Sequence, residues 1–270
     1  MSTATAVKTK TGPGFNPGLL MGSKQAIALM HLTFWAMIWL FVPWKILPKP
    51  SEVWTAFLRL WNQGFAVELW TSFWLNAEVL VLSSVISAAI IYLAVSPLVG
   101  KHVKPYLTMV SKFRFMGLVG WSLAFTLMFG GGHYLKVSLM TFAMTAFMTT
   151  AMFSVVVNIP KEQFDHARTL RMGEWRIVWE VVIRGTLDQM FDVVRQNAAI
   201  GWTMLTMVEG LSRSEGGVGV LLLSQNKFFK LDGIFAIQLA ILFLALFQDF
   251  FLAKCHKFLF PYAYLSKEKH

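Results

Sequence analysis

Six stretches of this chain run for about 20 mostly apolar residues, the length a helix needs to cross the hydrocarbon core of a bilayer. They lie at about 25–45, 72–98, 106–129, 134–157, 190–210 and 232–255. A soluble domain carries about a quarter charged residues; here only 14% are charged and 56% are hydrophobic. The sequence therefore predicts an all-α integral membrane protein with six transmembrane helices. Two runs are less apolar than the rest. The third contains Lys112 and Arg114 near its start, and the fifth contains Arg195, Asn197 and Glu209. Eleven Trp and 24 Phe fit helices whose ends sit at lipid interfaces.

Basic residues orient the spans, because cytoplasmic loops collect Lys and Arg. With the N-terminus inside and six alternating spans, 17 of the 24 Lys and Arg fall on the inner side. They are Lys8, Lys10 and Lys24; Lys101, Lys104, Lys112 and Arg114; Lys161, Arg168, Arg171, Arg176, Arg184 and Arg195; and Lys254, Lys257, Lys267 and Lys269. Both termini are then cytoplasmic, and the chain is expected in the bacterial inner membrane as a multi-pass protein. The net charge of +10 is explained by these loops and by anionic lipid, without nucleic acid. Residues 1–24 read as a loose cytoplasmic tail, 25–260 as the transmembrane domain and 261–270 as a second tail. No small-residue cleavage site follows the first apolar run, so no removed signal peptide is expected.

The polar interruption from Asn158 to Asp192 is the longest break between spans. Pro160 suits a first helical turn. Phe164, Ala167 and Leu170 recur at helical spacing, as do Trp175, Val178, Trp179 and Val182 after Gly173. Two short amphipathic helices joined by a turn are expected there, on the cytoplasmic side. They could serve as a docking device or simply rest on the bilayer surface. On the other side, Ser51 is expected to cap a helix running through Leu60, with Trp54, Phe57 and Trp61 on one face. Gly216 and Gly217 allow a tight turn in the loop 210–231.

Familiar chemistry is missing from the sequence. No glycine-rich loop ends in Gly-Lys-Ser/Thr, so the chain is not expected to hydrolyse nucleotide by that route. The six His (31, 102, 133, 166, 256 and 270) show no zinc spacing, and the single Cys255 excludes an internal disulfide. No catalytic residue, metal or cofactor is assigned. Ionisable or polar groups within spans receive a functional reading because they are costly in lipid. Glu78 and Asn76 in span two, and Arg195, Asn197 and Glu209 in span five, are candidates for lining a translocation path. Structural pairing between helices would account for them equally.

The cytoplasmic stretch resembles the signature loop of permease subunits of type I ABC importers. That signature is Glu-Ala-Ala, three residues, Gly, then about nine residues to Ile/Val-x-Leu-Pro. Asp165-His166-Ala167 stands at the Glu-Ala-Ala position, and Arg171 falls where the family has glycine, with Gly173 two residues later. Trp175 to Ile183 matches the following helix, and Arg184 occupies the usual proline position. Leu47-Pro-Lys-Pro-Ser-Glu-Val-Trp54 is similar to a segment after the first span in the nitrate/sulfonate/taurine-type branch. Gly217-Val218-Gly219 is similar to that branch's Gly-Leu-Gly turn. The resemblance covers roughly 25–260. Phe115 to Trp121 lacks the prolines common in the branch, which marks a divergent member.

The resemblance implies a coupling helix between spans four and five that docks a separate ATPase subunit. The implied docking residues are Asp165, His166, Ala167, Arg168, Leu170, Arg171, Gly173 and Trp175. It also implies a second permease copy, an extracytoplasmic substrate-binding protein, and ATP bound by the partner rather than by this chain. Small anions such as nitrate, sulfonate or bicarbonate are the implied cargo. An ATP-independent transporter or channel is the alternative; it predicts no large coupling loop and more polar residues at mid-membrane.

Overall fold

The structure is a computed structural model that describes residues 26–34, 36–38, 48–97, 100, 107, 109–212 and 215–262 of the 270-residue chain. The expected tail 1–24, the end of the first expected span and residues 263–270 lie outside the described residues. Two compact units are formed, Met1–Glu52 and Val53–His270. All regular structure among the described residues is helical. In chain order the helices are α1 (Ala26–Ile38), α2 (Pro50–Asn62), α3 (Phe65–Val95), α4 (Leu118–Phe129), α5 (His133–Val157), α6 (Lys161–Thr169), α7 (Glu174–Ile177), α8 (Gly185–Leu211), α9 (Val218–Lys227) and α10 (Leu231–Leu259). A π-helical turn, Val178–Arg184, joins α7 to α8 without a break.

Three of these helices, α3, α5 and α10, are long and apolar enough to cross a membrane. At 1.5 Å per residue they span about 38 to 46 Å. The protein is therefore membrane-embedded. In α1 the polar atoms turn back onto the helix itself. The Thr33 hydroxyl donates to the Leu29 carbonyl at 2.9 Å, and His31 Nδ1 lies 2.9 Å from the Ile27 carbonyl. The apolar side chains Leu29, Leu32 and Phe34 are exposed.

Helix α2 starts two residues earlier than a Ser51 cap would set. Pro50 is its first helical residue, a position where the missing N–H is no loss. Ser51 is therefore inside the helix, and the capping is done by Glu52, whose carboxylate accepts the Lys49 backbone N–H at 3.0 Å. Trp54, Phe57 and Trp61 do share a face, with ring centroids 5.7 and 5.6 Å apart along the row. Val53, Ala56 and Leu60 form the buried face.

Helix α5 packs against α3 on one side and α8 on the other. Its buried stripe includes Met140, Met144, Met148 and Met152, one per turn. Near one end, Met152 joins Ile91, Ala94, Leu107, Met190 and Val193 in a single apolar cluster. Helix α8 is 27 residues long but carries Asp188, Asp192, Arg195 and Glu209, too many charges for an apolar span. Its neighbours compensate: α3, α5, α9 and α10 all pack on it. Protein rather than lipid covers Asn197, Gly201, Trp202, Leu205 and Val208.

The expected third span, 106–129, is not one helix among its described residues. A 3-10 turn at Phe113–Phe115 leads into extended backbone at Met116 and Gly117 before α4 begins. The twelve residues of α4 reach only about 18 Å. Lys112 and Arg114 sit at this interruption, where the apolar pattern is weakest.

A buried polar joint pins α3, α8 and α10 together. The Gln248 side-chain oxygen accepts two hydrogen bonds, from Asn76 Nδ2 at 3.0 Å and from Trp202 Nε1 at 2.7 Å. All three side chains are buried. Interhelical hydrogen bonds in membranes average only about 0.6 kcal/mol each. Stranding a buried donor, however, costs about 1–3 kcal/mol, so the joint resists removal of any one member. Asn76 Oδ1 also rests directly on the Cα of Gly201, where a Cβ would collide with it. We expect Gly201→Val to force α3 and α8 apart and to lower stability by about 2 kcal/mol. A thermal-unfolding measurement in detergent would register this, with Gly117→Ala, which meets open space, as the neutral control.

Candidate functional site

Polar side chains gather at three levels of the helical bundle, and a fourth, solvent-facing group lies on the hairpin between α5 and α8. At the level of Leu211, the loop before α9 is held by groups from three different helices. Ser72 on α3 donates to Glu209 at 2.6 Å while accepting the Val218 N–H at 2.9 Å. The Glu209 carboxylate accepts the Gly219 N–H at 2.8 Å, and Glu68 accepts the Gly217 N–H. Lys136 on α5 donates to the Gly216 carbonyl at 2.9 Å. Glu209 and Lys136 are almost wholly buried.

The chemistry of this cluster follows from the helix it caps. The first backbone N–H groups of α9 have no intrahelical acceptors and carry the positive end of the helix dipole. Glu209, Ser72 and Glu68 supply acceptors to three successive amides of Gly217, Val218 and Gly219. Gly216 (φ 72°) and Gly217 (φ 111°) take left-handed conformations. A Cβ on Gly216 would come within 2.5 Å of the Glu68 carboxylate. The turn expected from these glycines is thus present, and it is a fastened one.

The middle level is the Asn76–Gln248–Trp202 joint. The third level is an ion pair between Arg195 and Asp249 on α10 at 2.9 Å, with Asp192 at 3.7 Å on the same side chain. Two carboxylates already match the Arg195 charge. Among the described residues, Asn197 donates to the Val193 carbonyl of its own helix, at 2.8 Å. Glu78 lies 2.9 Å from His133 Nε2, both partly exposed. The five residues read from the sequence as path-lining candidates are therefore spread over several separate arrangements. Asn76 and Glu209 are brought into buried networks; Glu78, Arg195 and Asn197 are not part of either.

Sequence reasoning did not single out Lys136, Glu68, Ser72, Gln248 or Trp202. Lys136 was readable in principle, as a lone ammonium inside an otherwise apolar run. Gln248 and Ser72 had no such mark, since single amides and hydroxyls are common in apolar helices.

The hairpin begins with α6, whose Asp165 and Arg168 form an exposed pair at 3.5 Å. Such a pair contributes little to stability, so both groups stay available to another surface. Ala167 faces inward, while His166, Leu170 and Trp175 are exposed. The helix ends in a Schellman motif: the Met172 N–H reaches the Ala167 carbonyl at 3.2 Å and the Arg171 N–H reaches the Arg168 carbonyl at 2.9 Å. Arg171 takes the left-handed position, φ 55°, which usually belongs to glycine. Gly173 then turns the chain into α7 with ordinary extended backbone, φ −68°. A cleft of about 410 Å³ runs beside α6, lined by Gln163, His166, Ala167, Leu170, Met172 and Glu180. In the π turn, Arg184 pairs with Glu180 at 3.3 Å.

Beside the break at Met116–Gly117 a second cavity of about 360 Å³ is lined by Phe113, Arg114, Trp121, Phe142, Thr203 and Met204. Irregular backbone at membrane depth is tolerated where it faces protein or a cavity rather than lipid. No three His, Cys, Asp or Glu among the described residues converge as a metal site would require.

No protein-family model matches the chain, and no curated protein matches it.

Two outcomes follow. Glu209→Ala strands the Ser72 hydroxyl and the Gly219 N–H, and should lower stability by about 3 kcal/mol; Glu215→Ala, at an exposed position in the same loop, should leave the melting curve nearly unchanged. Arg171→Gly removes a left-handed non-glycine residue and should stabilise the hairpin by about 1 kcal/mol. Hydrogen exchange at the amides of Arg171 and Met172 would report it as slower opening.

Proposed function

We propose that this chain is the membrane-spanning permease subunit of an ATP-driven type I ABC importer. In this reading it offers a path for a small solute and docks a separate ATPase through the hairpin 158–190. Residues 1–24 and 261–270 are cytoplasmic tails, and 25–260 form a six-span domain in the bacterial inner membrane. A second copy completes the path, and an extracytoplasmic binding protein delivers cargo around 44–68 and 210–231.

The observation that carries this reading is the geometry at Arg171. The signature loop of the resembling family has glycine at this position. Here the backbone takes the left-handed turn that glycine favours, despite the arginine side chain. The departure in sequence therefore falls at a position whose backbone would suit glycine. The exposed Asp165–Arg168 pair, the exposed Trp175 and the cleft beside Ala167 suit a surface that meets a charged partner.

The mechanism uses this chain's own residues as a lever. The ATPase hydrolyses ATP; the permease contributes no covalent chemistry. Motion of α6 crosses the turn 170–173 to reach α7, and from α7 it runs through the π turn into α8 without a break. At the far end of α8, Glu209 grips the first turn of α9. A push on the hairpin thus reaches the loop 215–219 along one rod, which is the arrangement a two-state rocking motion needs. Arg195 is already matched by Asp192 and Asp249, so it serves this rod as a tie to α10 rather than as a free anion site.

Co-purification with the cognate ATPase tests the reading. Asp165→Lys should reduce recovery of the ATPase and solute uptake about tenfold or more, and Ala167→Trp should do the same by filling the cleft. Because Asp165 is exposed, its variant should keep the wild-type melting temperature. Normal pairing and uptake in both variants would defeat the proposal. Uptake by the purified chain without any ATPase would favour the ATP-independent transporter instead.

A further inference from the structure

The short connection between α9 and α10 is built in a way that stability alone does not explain. Helix α9 closes with a second Schellman motif, in which the Lys230 N–H reaches the Gln225 carbonyl at 3.0 Å and the Phe229 N–H reaches the Asn226 carbonyl at 3.1 Å. The residue in the left-handed position is Phe229, φ 54°. A bulky aromatic there is a genuine outlier, where glycine would be unstrained. The strain does not serve packing: Phe229 is 86% exposed and Phe228 64%. Two neighbouring phenyl rings are thus pushed outward by a strained turn. A local conformation of this kind points to use rather than to folding.

Charge and depth indicate what receives the rings. Lys227 and Lys230 flank them and are exposed. Lys230 Nζ stands 5.9 Å from the Phe228 ring centroid, and neither lysine belongs to any ion pair among the described residues. The nearby Asp232 is taken by Arg59 of α2 at 3.1 Å, which leaves the patch positive. The turn also opens directly into the apolar α10, one of the three helices able to cross a membrane. The end of a spanning helix is where hydrocarbon and the phosphate layer meet. Across the Arg59–Asp232 tie, α2 presents Trp54 and Trp61, both exposed. Aromatic rings with cations beside them are the composition of an interfacial anchor.

We propose that Phe228 and Phe229, with Lys227 and Lys230, form a binding site for anionic phospholipid in the surrounding bilayer. The rings enter the acyl boundary, and the two ammonium groups take the lipid phosphate. The site anchors the α9–α10 turn at a fixed depth, independently of what the protein transports. It rests on the protein being membrane-embedded and not on the importer reading.

The test uses the full chain in vesicles of phosphatidylcholine with and without phosphatidylglycerol. Phe229 is replaced by p-benzoylphenylalanine, and the sample is irradiated. The expected product is a covalent adduct with lipid acyl chains, stronger when phosphatidylglycerol is present. Lys227→Ala and Lys230→Ala should each lower retained phosphatidylglycerol about fivefold, with bound phosphatidylcholine unchanged. Phe229→Gly separates anchoring from folding, because it relieves the strained turn: lipid retention should fall while the melting temperature in detergent holds or rises. Cross-linking to polypeptide instead of lipid, or no adduct at all, overturns the proposal. So does lipid retention that ignores the two lysines, or that falls only together with the melting temperature.

Discussion

A carboxylate buried in a membrane-embedded bundle must be satisfied by the protein, because lipid offers no donors. Glu209 meets that demand with a hydroxyl from α3 and an amide from α9, close to the ammonium of Lys136 from α5. The arrangement is reciprocal. The carboxylate needs donors, and the first turn of α9 needs acceptors. Neither α8 nor α9 could keep its end buried without the other. The joint at Gln248 applies the same logic at mid-height, one carbonyl oxygen serving two donors from two helices. These two knots account for how a helix as polar as α8 can lie inside the bundle.

The sequence made the helical, membrane-embedded character legible through the length of its apolar runs, and three of them match helices of spanning length. It was less informative where length and polarity disagree. Run 106–129 passes a count of apolar residues, yet the chain unwinds at Met116–Gly117, because a residue count does not register a local change of backbone. The fifth run reads as weak because hydropathy assumes lipid on every side, whereas one face of α8 is buried against protein. The capping of α2 fell to Glu52 rather than Ser51 because Pro50 could start the helix two residues sooner. The side-chain partners of Glu209 and Asn76, Ser72 and Gln248, were invisible, since they lie more than a hundred positions away in the chain.

The hairpin illustrates how a turn can be held by a residue that its backbone does not favour. Left-handed backbone is open to any residue at a modest penalty, and Arg171 accepts it. The turn thereby carries a guanidinium on its outside. The π turn ahead of α8 is a comparable accommodation: one widened turn lets Val182 stay buried while Arg184 and Glu180 pair at the surface. Both features set the course of the chain from α6 into the bundle.

The methionine stripe of α5 bears on motion. Leucine or isoleucine at Met140, Met144, Met148 and Met152 would present fixed knobs, and any rotation of the helix would have to climb over them. A thioether side chain with three free torsions reshapes itself as its neighbour slides. The stripe therefore behaves as a bearing surface, soft along its whole length, on which α5 can turn against the helices it touches. The hydrogen-bonded knots at Glu209 and Gln248 are the opposite kind of contact, directional and fixed in length.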